Sequence, residues 1–193
     1  MAQYKAFTNG VEVNGQTVLS VVAGMTSSEF ALKMLGNCGI KDPQPYSWYS
    51  QQNWLDAFKQ IAEKIGPIML NKIGRLIPEK ADWPPFVNSI ETALASIDVA
   101  YHMNHRLNRK VMFDPKTGSK IEGIGHYNFE KVNEREIKMV CNNPYPCDFD
   151  KGIVYATVNK FKPEDVKLIS INEEKSNKCR ENGGDTCIYT IVW

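Results

Sequence analysis

An α+β fold with an antiparallel sheet is what this sequence predicts, and three observations predict it. As far as Leu107 the apolar residues recur at three- and four-residue spacing, the repeat of helices with one buried face. From Lys120 onward they alternate, the repeat of half-buried strands. Turn sequences divide the two regimes, most clearly Asp114-Pro115-Lys116-Thr117-Gly118. The expected arrangement is one antiparallel sheet from an amino-terminal hairpin and two carboxyl-terminal hairpins, with helices packed on one face. A single domain is expected over 1–193. Residues 1–110 form a helical half with the first hairpin, and residues 120–193 form a β-β-α-β-β half.

Taken in order, Tyr4 to Val13 and Gln16 to Ala23 flank Asn14-Gly15. Asn-Gly between β-prone runs is a strong hairpin signal, because both residues tolerate positive φ. Thr26 with Glu29 three residues on reads as a capping box, opening a helix that ends near Gly36. Trp54, Phe58, Ile61, Ile65 and Met69 form one helical stripe, which Gly66-Pro67 should kink or divide. Pro84-Pro85 suit the first turn of a further helix with the stripe Phe86, Ile90, Leu94, Ile97 and Tyr101, ending near Leu107. Ile121–Phe129 and Ile137–Cys141 read as strands paired around Asn133-Glu134-Arg135. Asp148 can cap a helix from Phe149 to about Phe161. Val166–Ile171 and Cys187–Trp193 read as the last two strands.

Composition narrows the function classes. At 193 residues and 21.9 kDa, with 42% hydrophobic and 23% charged residues, the chain can bury a core without staples. A formal net charge of +1 gives no overall electrostatic case for nucleic acid. No apolar run approaches a bilayer span, and Met1–Gly10 lacks the pattern of a signal peptide, so a cytoplasmic location is expected. No P-loop, GxGxxG, GxSxG or HExxH motif occurs, which removes the common enzyme signatures.

Three kinds of residue could carry chemistry. Trp54, Phe58, Tyr101 and Tyr127 come from separate elements and could line an apolar pocket for a small molecule; they equally suit a core. His105 extends the apolar stripe through Tyr101, and His126 sits in the glycine-rich run Gly123-Ile124-Gly125. Either could bond a ligand or serve as an axial haem ligand. His102, four residues after Asp98, suits a surface Asp–His pair. Finally, Cys147, Cys179 and Cys187 sit at helix and strand ends, where a β-β-α-β-β unit can gather them around zinc. Free reduced thiols, or a Cys179–Cys187 disulfide, remain the alternatives.

The run from Cys141 through Pro144-Tyr145-Pro146-Cys147 to Gly152 precedes a helix. The run from Cys179 through Gly183-Gly184 to Cys187 and Trp193 ends the chain. Together they resemble the tail of the 4-vinyl reductase-like family of small-molecule-binding domains. That family includes sensory domains of aromatic-responsive regulators and is remotely related to haem nitric-oxide-binding domains. The resemblance covers about residues 120–193. It implies a zinc site of Cys147, Cys179 and Cys187 with a Glu just before the first hairpin cysteine. Ser176 and Asn177 stand near that place here, so Glu173, Glu174 or Cys141 would have to complete the set. The functional expectation is a cytoplasmic sensor that captures a hydrophobic or aromatic ligand. It would act as a homodimer or through a signalling partner protein. The alternatives are an enzyme or accessory factor for a tetrapyrrole-like substrate, and a haem-based gas sensor.

Overall fold

Asn14 decides how the chain begins. In the computed structural model, which describes residues 3–174 and 179–193, Asn14 ends strand β1 (Val11–Asn14). Its side chain accepts the Gln16 N–H, so it caps helix α1 (Gly15–Gly24). The expected amino-terminal hairpin is therefore corrected: residues 16–23 are helical. Asn and Gly serve caps as well as turns, and the close approach of neighbouring backbone settles which. A Cβ on Gly15 would stand 2.0 Å from the Gln44 carbonyl oxygen. Val18 and Val21, three apart, then bury the inner face of α1.

Helix α2 (Ser28–Asn37) starts one residue later than expected, because Ser27 rather than Thr26 accepts the Phe30 N–H. Strand β2 (Trp48–Ser50) leads into α3 (Gln51–Lys64), which buries Trp54, Phe58 and Ile61. Gly66, at φ 108°, breaks the stripe, and α4 (Pro67–Lys80) starts on Pro67. Helix α5 (Ile90–Met103) is opened by a Ser89–Thr92 capping box, with Pro84-Pro85 upstream of it. Ile90, Leu94, Ile97 and Tyr101 face inward, while Phe86 is outside the helix and exposed. The helix stops short of Leu107 because His105–Leu107 is needed as β3, the antiparallel partner of β1. Lys110–Val111 (β4) completes that sheet in the order β2-β1-β3-β4.

The second sheet runs β5-β6-β8-β7, from β5 (His126–Asn133), β6 (Glu136–Asn142), β7 (Ser170–Glu173) and β8 (Cys187–Val192). Helix α6 (Cys147–Lys160) lies between its two hairpins in sequence. It starts behind Pro146 with no side-chain cap, so Asp148 is in its first turn rather than at its cap. The class is thus α+β and antiparallel throughout, but the amino-terminal strands form their own sheet instead of joining the carboxyl-terminal one. Among the described residues no helix is long and apolar enough to cross a membrane.

What positions the site is the pairing of α4 with α6. A Cβ on Gly74 would lie 2.1 Å from the Phe149 carbonyl oxygen, and one on Gly152 would lie 2.2 Å from that of Asn71. The two helices therefore touch backbone to backbone at two glycines. Backbone cannot move aside as a side chain can. Gly152→Ala should accordingly destabilise the fold by about 3 kcal/mol, a strong overpacking effect, read as a lowered midpoint in urea.

Candidate metal centre and its buried polar support

Cys147 opens α6, Cys187 opens β8, and Cys179 immediately precedes the short 3-10 turn Arg180–Asn182. The fold brings these three thiols together. Cys147 Sγ lies 2.7 Å from Cys187 Sγ and 3.7 Å from Cys179 Sγ, and the Cys179–Cys187 separation is 3.6 Å. Sulfurs sharing one tetrahedral zinc stand about 3.8 Å apart, so two of these separations suit shared ligation. The shorter one is a hydrogen-bonded pair of sulfurs in which either could donate. That bond pushes the Cys147 thiol up and holds Cys187 down, and Arg180 beside Cys187 adds to the second effect. Glu173, at the end of β7, places Oε1 3.9 Å from Cys179 Sγ and completes a group of four potential ligands. Cys141 stays outside that group: it faces the core on β6 in register with Cys187, and burial raises its thiol well above the ordinary range. The Ser176–Asn177 position lies outside the described residues.

Arg180 supports this centre from beneath. Its guanidinium is buried, with Nε donating to Cys187 Sγ at 3.4 Å. One terminal nitrogen donates to the Asn143 carbonyl, to Asn143 Oδ1 at 2.7 Å and to the Tyr145 carbonyl at 2.8 Å. The other donates to Asp150 Oδ2. Asp150, also fully buried, accepts from Tyr127 Oη at 2.5 Å and Asn143 Nδ2 at 3.1 Å. Burial pushes its carboxyl up, and Arg180 with the two further donors works against that. An ion pair taken this far from water stands only when its remaining hydrogen-bonding positions are filled, as they are here.

The residues expected to line a ligand pocket are in the core. Trp54 and Phe58 lie 4.6 Å apart by ring centroid, and Tyr145 and Phe149 close around them at 4.8–6.1 Å. Tyr101 packs edge-on against His105, Tyr127 and Tyr145. A groove of about 370 Å³ lies elsewhere, between α4 and α6, lined by Arg75, Glu79, Tyr155, Ala156, Asn159 and Lys160. His105 is buried, with Nδ1 donating to the Tyr101 carbonyl at 2.7 Å and Nε2 accepting from Tyr145 Oη at 2.6 Å. Burial holds it neutral, with its pKa lowered to about 4.

His126 sits apart from His105, beside Asp98. Asp98 Oδ1 accepts the Tyr127 N–H at 2.9 Å, and Oδ2 accepts from Lys120 Nζ at 2.5 Å. His126 Nδ1 is 3.3 Å from the same carboxylate, and its Nε2 is 2.9 Å from Glu122. Burial alone would raise the Asp98 pKa, but these partners outweigh it and hold the carboxyl below its usual range. His102 is fully buried rather than on the surface. Its Nδ1 bonds the Asp98 carbonyl at 2.8 Å, and its Nε2 has no partner among the described residues.

Sequence reasoning missed Arg180, Asp150 and Asp98 as a framework. Arg180 and Asp150 are 30 residues apart, and nothing local marks either as buried. Only Asp98 carried a signal, as a lone carboxylate beside the apolar stripe of its helix.

No family model and no curated protein sequence matches this chain. Solved structures do. An H-NOX protein from S. oneidensis in the Fe(II) ligation state aligns over 93% of this chain and 95% of its own, at 15% identity and a TM-score of 0.61. A structure probing haem distortion in the H-NOX family aligns over 93% and 94%, at 16% identity and 0.64. An oxygen-binding H-NOX domain related to soluble guanylate cyclases aligns over 92% and 91%, at 16% identity and 0.60. Likeness at this identity establishes the fold, which is H-NOX-like. It runs along nearly the whole chain, and it is to the relatives that the sequence resemblance placed as the remoter ones.

Two outcomes follow. His105 has a lower pKa folded than unfolded, so the unfolded chain binds more protons between about pH 6.5 and pH 4. Stability should fall as pH drops through that window, by about 3 kcal/mol, and chemical unfolding of His105→Asn should lack most of that slope. Arg180→Met leaves Asp150 buried and unpaired and should cost about 4 kcal/mol, read by thermal melting.

Proposed function

We propose that this chain is a small-molecule sensor domain built on the H-NOX-like fold, with Cys147, Cys179, Cys187 and Glu173 holding a structural zinc ion. One observation carries the zinc part: four ligand atoms from α6, β7, the residue before the 3-10 turn and β8 all lie within 4.8 Å of one another. Three thiolates and a carboxylate make a closed tetrahedral set, so the ion would support the fold and leave no position open for substrate. It would tie the long β7–β8 connection to α6 and offset the entropy of ordering that polar stretch.

The sensor part is supported by fold likeness to domains described as haem-bearing and oxygen-binding. Between a free aromatic ligand and a haem-type group with its gas, those neighbours favour the second. The aromatic-capture reading also loses its lining, since Trp54, Phe58, Tyr101 and Tyr127 are in contact with one another or with Tyr145 in the core. One observation favours haem itself: His102 offers a buried imidazole nitrogen without a partner among the described residues. Its donor fits an axial position. The space does not fit: the rings around Tyr145 fill the interior between α3, α5 and α6, and a macrocycle there would have to displace them. We therefore derive no step through haem. A homodimer or a partner protein would pass on the ligand state.

Native mass spectrometry should find one zinc per chain. Chelation should lower the melting temperature by more than about 5 °C, as should Cys179→Ser. A metal-free protein whose melting ignores chelator would refute the zinc site. Hemin titration separates the ligand readings: the packed interior predicts no Soret band, and a band that His102→Ala removes would establish haem instead. Light scattering should give twice the 21.9 kDa chain mass.

A further inference from the structure

We infer that Asp98, His102 and His126 form a second cation site, distinct from the thiol centre, that takes a divalent first-row transition ion in the place Lys120 now serves. The site joins α5 to β5. One ligand atom from each of the three residues lies within 4.8 Å of the others, and His126 Nδ1 stands 3.3 Å from Asp98 Oδ1. Two imidazoles and a carboxylate are the donor set of mononuclear sites that bind small ligands, because three protein donors leave further positions open.

Two independent features point to a cation. The first is Lys120, whose ammonium contacts Asp98 Oδ2 at 2.5 Å, so a positive charge is already stabilised at this carboxylate. Lysine is a flexible point charge on a long stem, and this one is part-exposed, so it can leave as an ion arrives. The second is His102. Its Nδ1 bonds a carbonyl oxygen and so carries the hydrogen, which leaves Nε2 as a bare lone pair. That buried acceptor has no donor among the described residues, a costly state that an ion or its bound water would relieve. His126, also part-exposed, gives the ion a path from solvent. Nitrogen and oxygen donors set this site apart chemically from the soft thiolates around Cys147. The inference stands whether or not the chain is a sensor, though such a site would give a sensor somewhere to hold a small ligand.

Cobalt(II) is the probe, since thiolate ligation gives an intense charge-transfer band that nitrogen and oxygen ligation lacks. Titrated into the full chain, cobalt should fill one equivalent with that band and a second without it. The second should persist in Cys147→Ser. It should weaken on the order of tenfold or more in His126→Gln, a part-exposed position that spares the Asp98–Tyr127 bond. It should tighten by a similar factor in Lys120→Met, which removes the competing ammonium. Uptake confined to the equivalent lost in Cys147→Ser, or equal affinity in wild type, His126→Gln and Lys120→Met, would overturn the inference.

Discussion

The Arg180 guanidinium is the constraint on which the carboxyl-terminal half depends. It lies under the 3-10 turn, yet its partners come from the loop after β6, from α6 and from β8. A buried cation tolerates little freedom, because each unfilled donor would face apolar surroundings. Its N–H groups therefore fix the relative placement of these three segments. The thiols converge as a consequence. Cys179 precedes Arg180 in the chain, Cys187 accepts from its Nε, and Cys147 begins the helix that carries Asp150.

The same network reaches the other half. Asp150 accepts from Tyr127 on β5, and the Tyr127 N–H is held by Asp98 on α5. Asp98 in turn holds Lys120 and His126. A continuous polar path thus joins the thiol centre to the Asp98 cluster through one residue, Tyr127, whose two ends bond different carboxylates. The backbone contact of α4 with α6 at Gly74 and Gly152 adds a rigid floor, so a shift of α6 cannot be absorbed locally.

Much of the fold was legible because periodicity reports one-sided burial. The α3 stripe, the break at Gly66-Pro67 and the β5–β6 hairpin follow from local pattern and turn chemistry alone. The convergence of Cys147, Cys179 and Cys187 was legible for a related reason: all three stand at element ends, which a β-β-α-β-β unit gathers. The amino-terminal hairpin was not. Asn14-Gly15 satisfies a turn and a helix cap equally well, and the β-prone valines Val18, Val21 and Val22 hide the helical face of their segment. His105 and Tyr101 looked like ligand residues because buried aromatic and imidazole groups have the same composition in a pocket and in a core.

By itself, then, the sequence determined the α+β class and the order of the later elements, since each depends on neighbours within a few residues. Tertiary structure decided the rest. It split the strands into two sheets, left Cys141 in the core while Glu173 joined the thiols, and set Arg180 against Asp150. It also gathered Asp98, His102, Lys120 and His126 at one junction. Those outcomes rest on contacts between residues tens of positions apart. Their energy comes from burial and charge pairing, which no local propensity encodes.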